Sequence, residues 1–134
     1  MKIGFIGLGN VGAKLAGSLL RNGFDLTVRD VDQNLTDQFK SSGAKVANSG
    51  KELAEQVDLI ITSLPSLKVS SEVMEAEDGV LQGLSENKIW LEMSTTDEAE
   101  VKRIGEKVIA KSAIPLDGPV SGGCHRAATG NIAI

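Results

Sequence analysis

Six residues, Gly7-Leu8-Gly9-Asn10-Val11-Gly12, stand between a short apolar run and a helical pattern, and this placement restricts the fold more than any other feature of the chain. The preceding run, Lys2-Ile3-Gly4-Phe5-Ile6, is short and stops at the glycines, as a buried strand does. A G-x-G-x-x-G string in that setting has a mechanical meaning. Gly7 admits a tight turn, Gly9 lets the backbone approach a pyrophosphate, and Gly12 lets the following helix pack on the sheet. The amides of Asn10 and Val11 then face the ligand. A helix N-terminus adds unpaired N–H groups and about half a positive charge, so an anion is held without a lysine. Gly7, Leu8, Gly9, Asn10, Val11 and Gly12 are therefore candidate contacts to a dinucleotide.

Asp30 closes the second strand, where an acid accepts hydrogen bonds from the adenosine ribose. A carboxylate there repels a 2′-phosphate, so NAD is the expected cofactor. NADP stays open because Arg29 precedes Asp30; strand alternation predicts that Arg29 points to the opposite side.

The remaining chain repeats a strand and helix rhythm. Val11, Leu15 and Leu19, with Ala16 and Leu20, mark an amphipathic helix ending near Gly23. Strands are predicted over 26–28, 45–47, 59–61, 88–91 and 113–116, and helices over 33–40, 49–56, 67–74 and 97–110. A further strand is expected to begin at Asn131. Such alternation implies right-handed crossovers and an α/β fold of Rossmann type: a doubly wound, mainly parallel sheet with helices on both faces.

Composition narrows the partners. At 134 residues with 41% apolar content, one substantial core is expected, so residues 1–134 are read as a single dinucleotide-binding domain. The net charge of -4 and the 3% aromatic content disfavour nucleic acid. No apolar run approaches the roughly 20 residues of a membrane span. Cys124 is the only cysteine, which excludes an internal disulfide and a paired-cysteine zinc site, and no metal is expected; a reducing cytoplasm suits such a chain.

The block Leu116-Asp117-Gly118-Pro119-Val120-Ser121-Gly122-Gly123, with Ala127 and Gly130 after it, resembles the substrate-binding signature of the β-hydroxyacid dehydrogenase family. Leu64-Pro65 and Met93-Ser94-Thr95 add to the likeness, which covers essentially the whole chain. The resemblance implies that Leu64 and Pro65 touch the cofactor and that Thr95 lies beside the nicotinamide ribose. It also implies that Ser121, Gly122 and Gly123 hold a small carboxylate substrate, through a serine hydroxyl and amides freed by two glycines. Gly118, Glu92 and Val69 depart from the family's usual residues, which leaves the identity of the hydroxy acid open.

The family's catalytic lysine sits in a later G-x-x-G-x-G-x-x-x-K helix, and no such string occurs here. The expectation is a piece of a longer protein, with that lysine beyond residue 134, a helical second domain absent, and a homo-oligomer when complete. No catalytic residue is assigned within the chain. Two other readings stand beside the hydroxyacid dehydrogenase: a decarboxylating enzyme of the 6-phosphogluconate type, and a nucleotide-sensing module without catalysis. Because hydride transfer to a carbonyl needs a positioned acid, residues 1–134 alone are predicted to show no dehydrogenase turnover when NADH absorbance is followed with hydroxy acids. Lysine-dependent turnover by these residues alone would contradict this.

Overall fold

In the computed structural model, which describes residues 1–95 and 97–134, six parallel strands form one sheet in the order β3-β2-β1-β4-β5-β6. The strands are β1 (Lys2–Ile6), β2 (Asp25–Arg29), β3 (Lys45–Val46), β4 (Leu59–Thr62), β5 (Ile89–Glu92) and β6 (Ile114–Asp117). Between them run α1 (Gly12–Arg21), α2 (Gln33–Ser41), α3 (Gly50–Gln56), α4 (Leu67–Glu75), α5 (Val80–Gly83) and α6 (Glu98–Ala110), and α7 (Gly123–Thr129) follows β6. The expected Rossmann architecture is present.

Burial on both faces explains why the central strands are nearly continuous apolar runs. One face packs Leu15 and Ala16 of α1, Leu35 and Phe39 of α2 and Ala127 of α7 against Ile3, Phe5, Leu26, Val28 and Ile61. The other packs Leu53 and Ala54 of α3, Met74 of α4, Val80 and Leu81 of α5, and Ile104 and Val108 of α6 against Ile6, Ile60 and Trp90. Trp90 is fully buried, and its indole N–H donates to Thr62 Oγ1 at 3.0 Å, so the largest side chain of the core leaves no unpaired donor.

Local signals set the helix ends. Asp32, Ser49 and Ser66 cap α2, α3 and α4, their side chains accepting from the amides of Asn34, Glu52 and Val69. The chain turns after α1 at Gly23, with φ +81°, and α7 stops at Gly130 with φ +73°.

Every strand and helix predicted before residue 117 is found within a residue or two of its expected bounds. Three features differ. Helix α5 has no counterpart among the predicted elements, since four residues are too few to show a helical period. Helix α7 has none either. The strand expected from Asn131 reduces to a single antiparallel bridge between Ser121 and Ala133.

Helix α4 is fastened to α6 by ions. Arg103 donates to both carboxylate oxygens of Glu75 at 2.8 and 2.6 Å and to Glu100 at 2.8 and 2.6 Å; Lys107 also reaches Glu75, and the Ser71 hydroxyl donates to Glu100 at 2.6 Å. Arg103, then Lys107, lower the Glu75 pKa from 4.5 to about 2. A carboxyl whose pKa falls on folding stabilises the fold above its unfolded value and loses that contribution as pH drops. Stability should therefore decline as pH falls from 4.5 toward 2, and Arg103→Ala should flatten that decline, most visibly at low salt. Urea midpoints measured across this range for both proteins check it; parallel curves would refute the assignment.

Candidate functional site

The strand order reverses beside β1, which pairs with β2 on one side and β4 on the other. A crevice outside the carboxyl ends of the strands is the expected result at such a switch point. A cleft of about 890 Å³ opens there. Its walls come from the loops after β1, β2, β4 and β5 and from α4, and include Gly7, Gly9, Asn10, Val11, Gly12, Asp30, Leu64, Pro65 and Thr95. Only Leu8 among the expected cofactor contacts stays out of the wall, being buried beneath it at 1% exposure.

The three glycines of the turn differ in what surrounds them. Gly7 has φ +98°, and an added Cβ would lie 2.1 Å from the Ser63 carbonyl oxygen. At Gly12 the same atom would lie 1.9 Å from the Gly7 carbonyl oxygen and 3.4 Å from the Phe5 ring, so only glycine lets α1 start this close to β1. Gly9 is exposed and would meet nothing within 4 Å. Two glycines thus close the loop on the protein and the third faces open space.

The amides sort in the same way. Gly7 N–H donates to the Arg29 carbonyl at 3.1 Å, and Leu8 N–H donates to Asp30 Oδ2 at 2.6 Å. The amides of Gly9, Asn10, Val11 and Gly12 find no protein acceptor among the described residues. Helix α1 has no acid in its first turn, leaving its positive end uncompensated. These features fit a pyrophosphate, whose oxygens need donors and close backbone approach.

Asp30 is held from two sides: Oδ2 by the Leu8 amide and Oδ1 by the Asp32 amide at 2.8 Å. Each oxygen retains a second lone pair for an outside donor. Arg29 departs from its expected position. It lines the same cleft as Asp30, and its guanidinium donates to the Asp30 carbonyl. Alternation fails because β2 ends at Arg29, so Asp30 has already left the pleat.

Ser121, Gly122 and Gly123 are exposed and lie outside the cleft wall, which their neighbour Val120 enters. The Ser121 amide donates to the Ala133 carbonyl at 2.9 Å and is therefore spent. Gly122 and Gly123 both take positive φ, +123° and +72°, on entering α7, a turn that a residue with a Cβ would strain to make.

Sequence reading marked Glu92 only as a departure from the family's usual residue and missed its burial and its partners: the carboxylate accepts from the Ser94 amide at 2.8 Å and from the Ser70 hydroxyl at 2.7 Å. Ser94 Oγ in turn accepts from the Leu64 amide at 2.7 Å. A glutamate directly followed by a strand-end loop is the only signal, and it does not reveal a partner on α4.

A family model described as the NAD binding domain of 6-phosphogluconate dehydrogenase matches residues 2–134. The chain belongs to that family. Among curated relatives of this NAD-binding domain, mitochondrial 3-hydroxyisobutyrate dehydrogenase of Rattus norvegicus is 38% identical over 130 residues, 97% of this chain and 39% of that protein. The Homo sapiens enzyme of the same name is 35% identical over the same shares. The chain thus spans about 39% of the length of these relatives. A solved 3-hydroxyisobutyrate dehydrogenase from Salmonella typhimurium superposes with a TM-score of 0.90 at 28% identity, covering 98% of this chain and 46% of that one. That of Mycobacterium tuberculosis, solved with L-serine, gives 0.89 at 26%, covering 98% and 44%. The resemblance to β-hydroxyacid dehydrogenases is borne out by these relatives.

Unequal surroundings of two glycines yield a stability test. Gly12→Ala should destabilise the fold by about 1–3 kcal/mol or more through overpacking, whereas Gly9→Ala, with open space before it, should leave the denaturation midpoint within about 0.5 kcal/mol. Equal losses in the two variants would contradict the geometry.

Proposed function

We propose that this NAD-binding domain serves an oxidoreductase that moves a hydride between a nicotinamide and a small 3-hydroxy acid or its semialdehyde. The carrying observation is the cleft at the reversal of strand order, where four amides without protein acceptors among the described residues adjoin the doubly held Asp30. When bound, the nicotinamide ring supplies the hydride acceptor or donor. The protein's part within residues 1–134 is to bind and orient. Amides of residues 9–12 receive the pyrophosphate, Asp30 accepts from the adenosine ribose, and Leu64 and Pro65 border the cofactor. Thr95, on the loop after β5, seats the nicotinamide ribose.

Ser121, Gly122 and Gly123 hold the substrate carboxylate one residue beyond the cleft wall. With the Ser121 amide spent on Ala133, the donors left to them are the serine hydroxyl and the two glycine amides. A lysine outside residues 1–134 supplies the proton, on a helical domain that completes a homo-oligomeric enzyme. The relatives' printed names favour this substrate class over a phosphorylated sugar acid. A reducing compartment such as the cytoplasm suits the single cysteine, and among the described residues no helix is long and apolar enough to cross a membrane.

NAD is preferred to NADP. The Asp30 carboxylate repels a 2′-phosphate, and the Arg29 guanidinium is drawn to the Asp30 carbonyl. Calorimetric titration should give micromolar binding of NAD(H). Asp30→Asn should weaken it about tenfold or more, since a hydrogen bond to a charged acceptor is worth about 1.5–3 kcal/mol, with a relative gain for NADP(H). Gly9→Ala should lose about tenfold or more, 1.4 kcal/mol, while remaining folded. Failure of the unaltered chain to bind either dinucleotide would overturn the proposal.

A further inference from the structure

Among the described residues Glu92 is the one charged side chain in the buried class, at 1% exposure. It forms no ion pair there. Burying a carboxylate without a counter-charge is costly, and a leucine or methionine of similar volume would fill the same space without that penalty. Packing therefore does not account for the residue. Its hydrogen bonds do.

Oε1 accepts from the Ser94 amide on the loop after β5, and Oε2 accepts from the hydroxyl of Ser70, in the first turns of α4. Ser94, itself 4% exposed, accepts from the Leu64 amide on the loop after β4. One carboxylate, with Ser94 as its relay, thus adds side-chain hydrogen bonds that tie the start of α4 to the loops after β4 and β5, beyond the pairing of those two strands. All three border the cleft: Leu64 and Pro65 on one loop, Ser94 and Thr95 on another, Val69 and Val73 on α4. A carboxylate only accepts, so the Ser94 amide and the Ser70 hydroxyl both act as donors toward it. We propose that Glu92 is a positioning residue for the dinucleotide, its buried carboxylate holding both loops and α4 in one arrangement so that the cleft is formed before the cofactor arrives.

The inference rests on the cofactor reading above, and it adds the prediction that Glu92 acts on affinity without touching the ligand. If removing the carboxylate leaves the walls assembled only a tenth of the time, the apparent Kd rises about tenfold. Glu92→Gln preserves both hydrogen bonds: Oε1 still accepts from Ser94 N–H, and Nε2 donates to Ser70 Oγ, which reverses its role.

The test titrates the 134-residue chain with NAD+ calorimetrically, well below the melting transition, and records thermal melts of the same samples. Glu92→Ala should raise Kd about tenfold in protein that is still fully folded, and Glu92→Gln should restore it to within about threefold, or 0.65 kcal/mol. A Glu92→Ala chain that melts earlier yet binds NAD+ unchanged overturns the proposal, because a purely structural residue moves only the melt. A Gln variant as impaired as Ala overturns it as well. Should Glu92→Ala not fold, Ser70→Ala and Ser94→Ala each remove one link, and at least one must weaken NAD+ binding in folded protein; unchanged Kd in both sinks it. An unaltered chain that takes up no dinucleotide defeats the cofactor reading itself, and this inference with it.

Discussion

Helix α1 begins against the sheet because nothing projects from Gly12, where a single carbon would sit 1.9 Å from the Gly7 carbonyl oxygen. From that contact the rest follows. The helix starts close enough to the end of β1 that the amides of residues 9–12, without a protein acceptor among the described residues, stand at its uncompensated positive end. Because β1 is bonded to both β2 and β4, this turn lies between loops that diverge, and the cleft opens there. Gly9, facing emptiness, is the position of the turn that the protein itself leaves unfilled.

Much of this was legible in the residues themselves. The Gly turn and Asp30 could be brought to one cleft because backbone shape and position at strand ends leave marks in a linear string, whereas Leu64-Pro65 and Thr95 entered through the family resemblance. Strands β1 and β4 announce themselves as short apolar runs, and Asp32, Ser49 and Ser66 mark helix starts. Helix α5 has no periodicity to display, and its Val80 and Leu81 are buried by the helices around them. In α7 only Ala127 is fully buried, so the segment shows no apolar stripe; Gly130 after it was the available sign of a helix end.

What stayed hidden is interaction between distant positions. Ser70 and Glu92 are 22 residues apart, Leu64 and Ser94 are 30, and Glu75 and Arg103 are 28. Serines and charged residues occur throughout the chain, so no pattern singles out these pairs until the fold brings them together. The side of the sheet taken by Arg29 was misread for a more local reason. Alternation is a property of strands, and β2 has ended by the following residue.

Asp30 has a second employment that bears on how cofactor preference can change. Its two oxygens already tie the Gly turn to the start of α2 through Leu8 and Asp32. Under the proposed function, exchanging the acid for a small neutral residue, a route by which a ribose pocket is opened to a phosphate, would also unfasten the Gly turn from the start of α2. Mutational paths between the two coenzymes therefore pass through a loosened intermediate unless another acceptor for the Leu8 amide appears first. Drift in coenzyme choice should be slower in a lineage built this way than in one whose ribose acid stands apart from the loop.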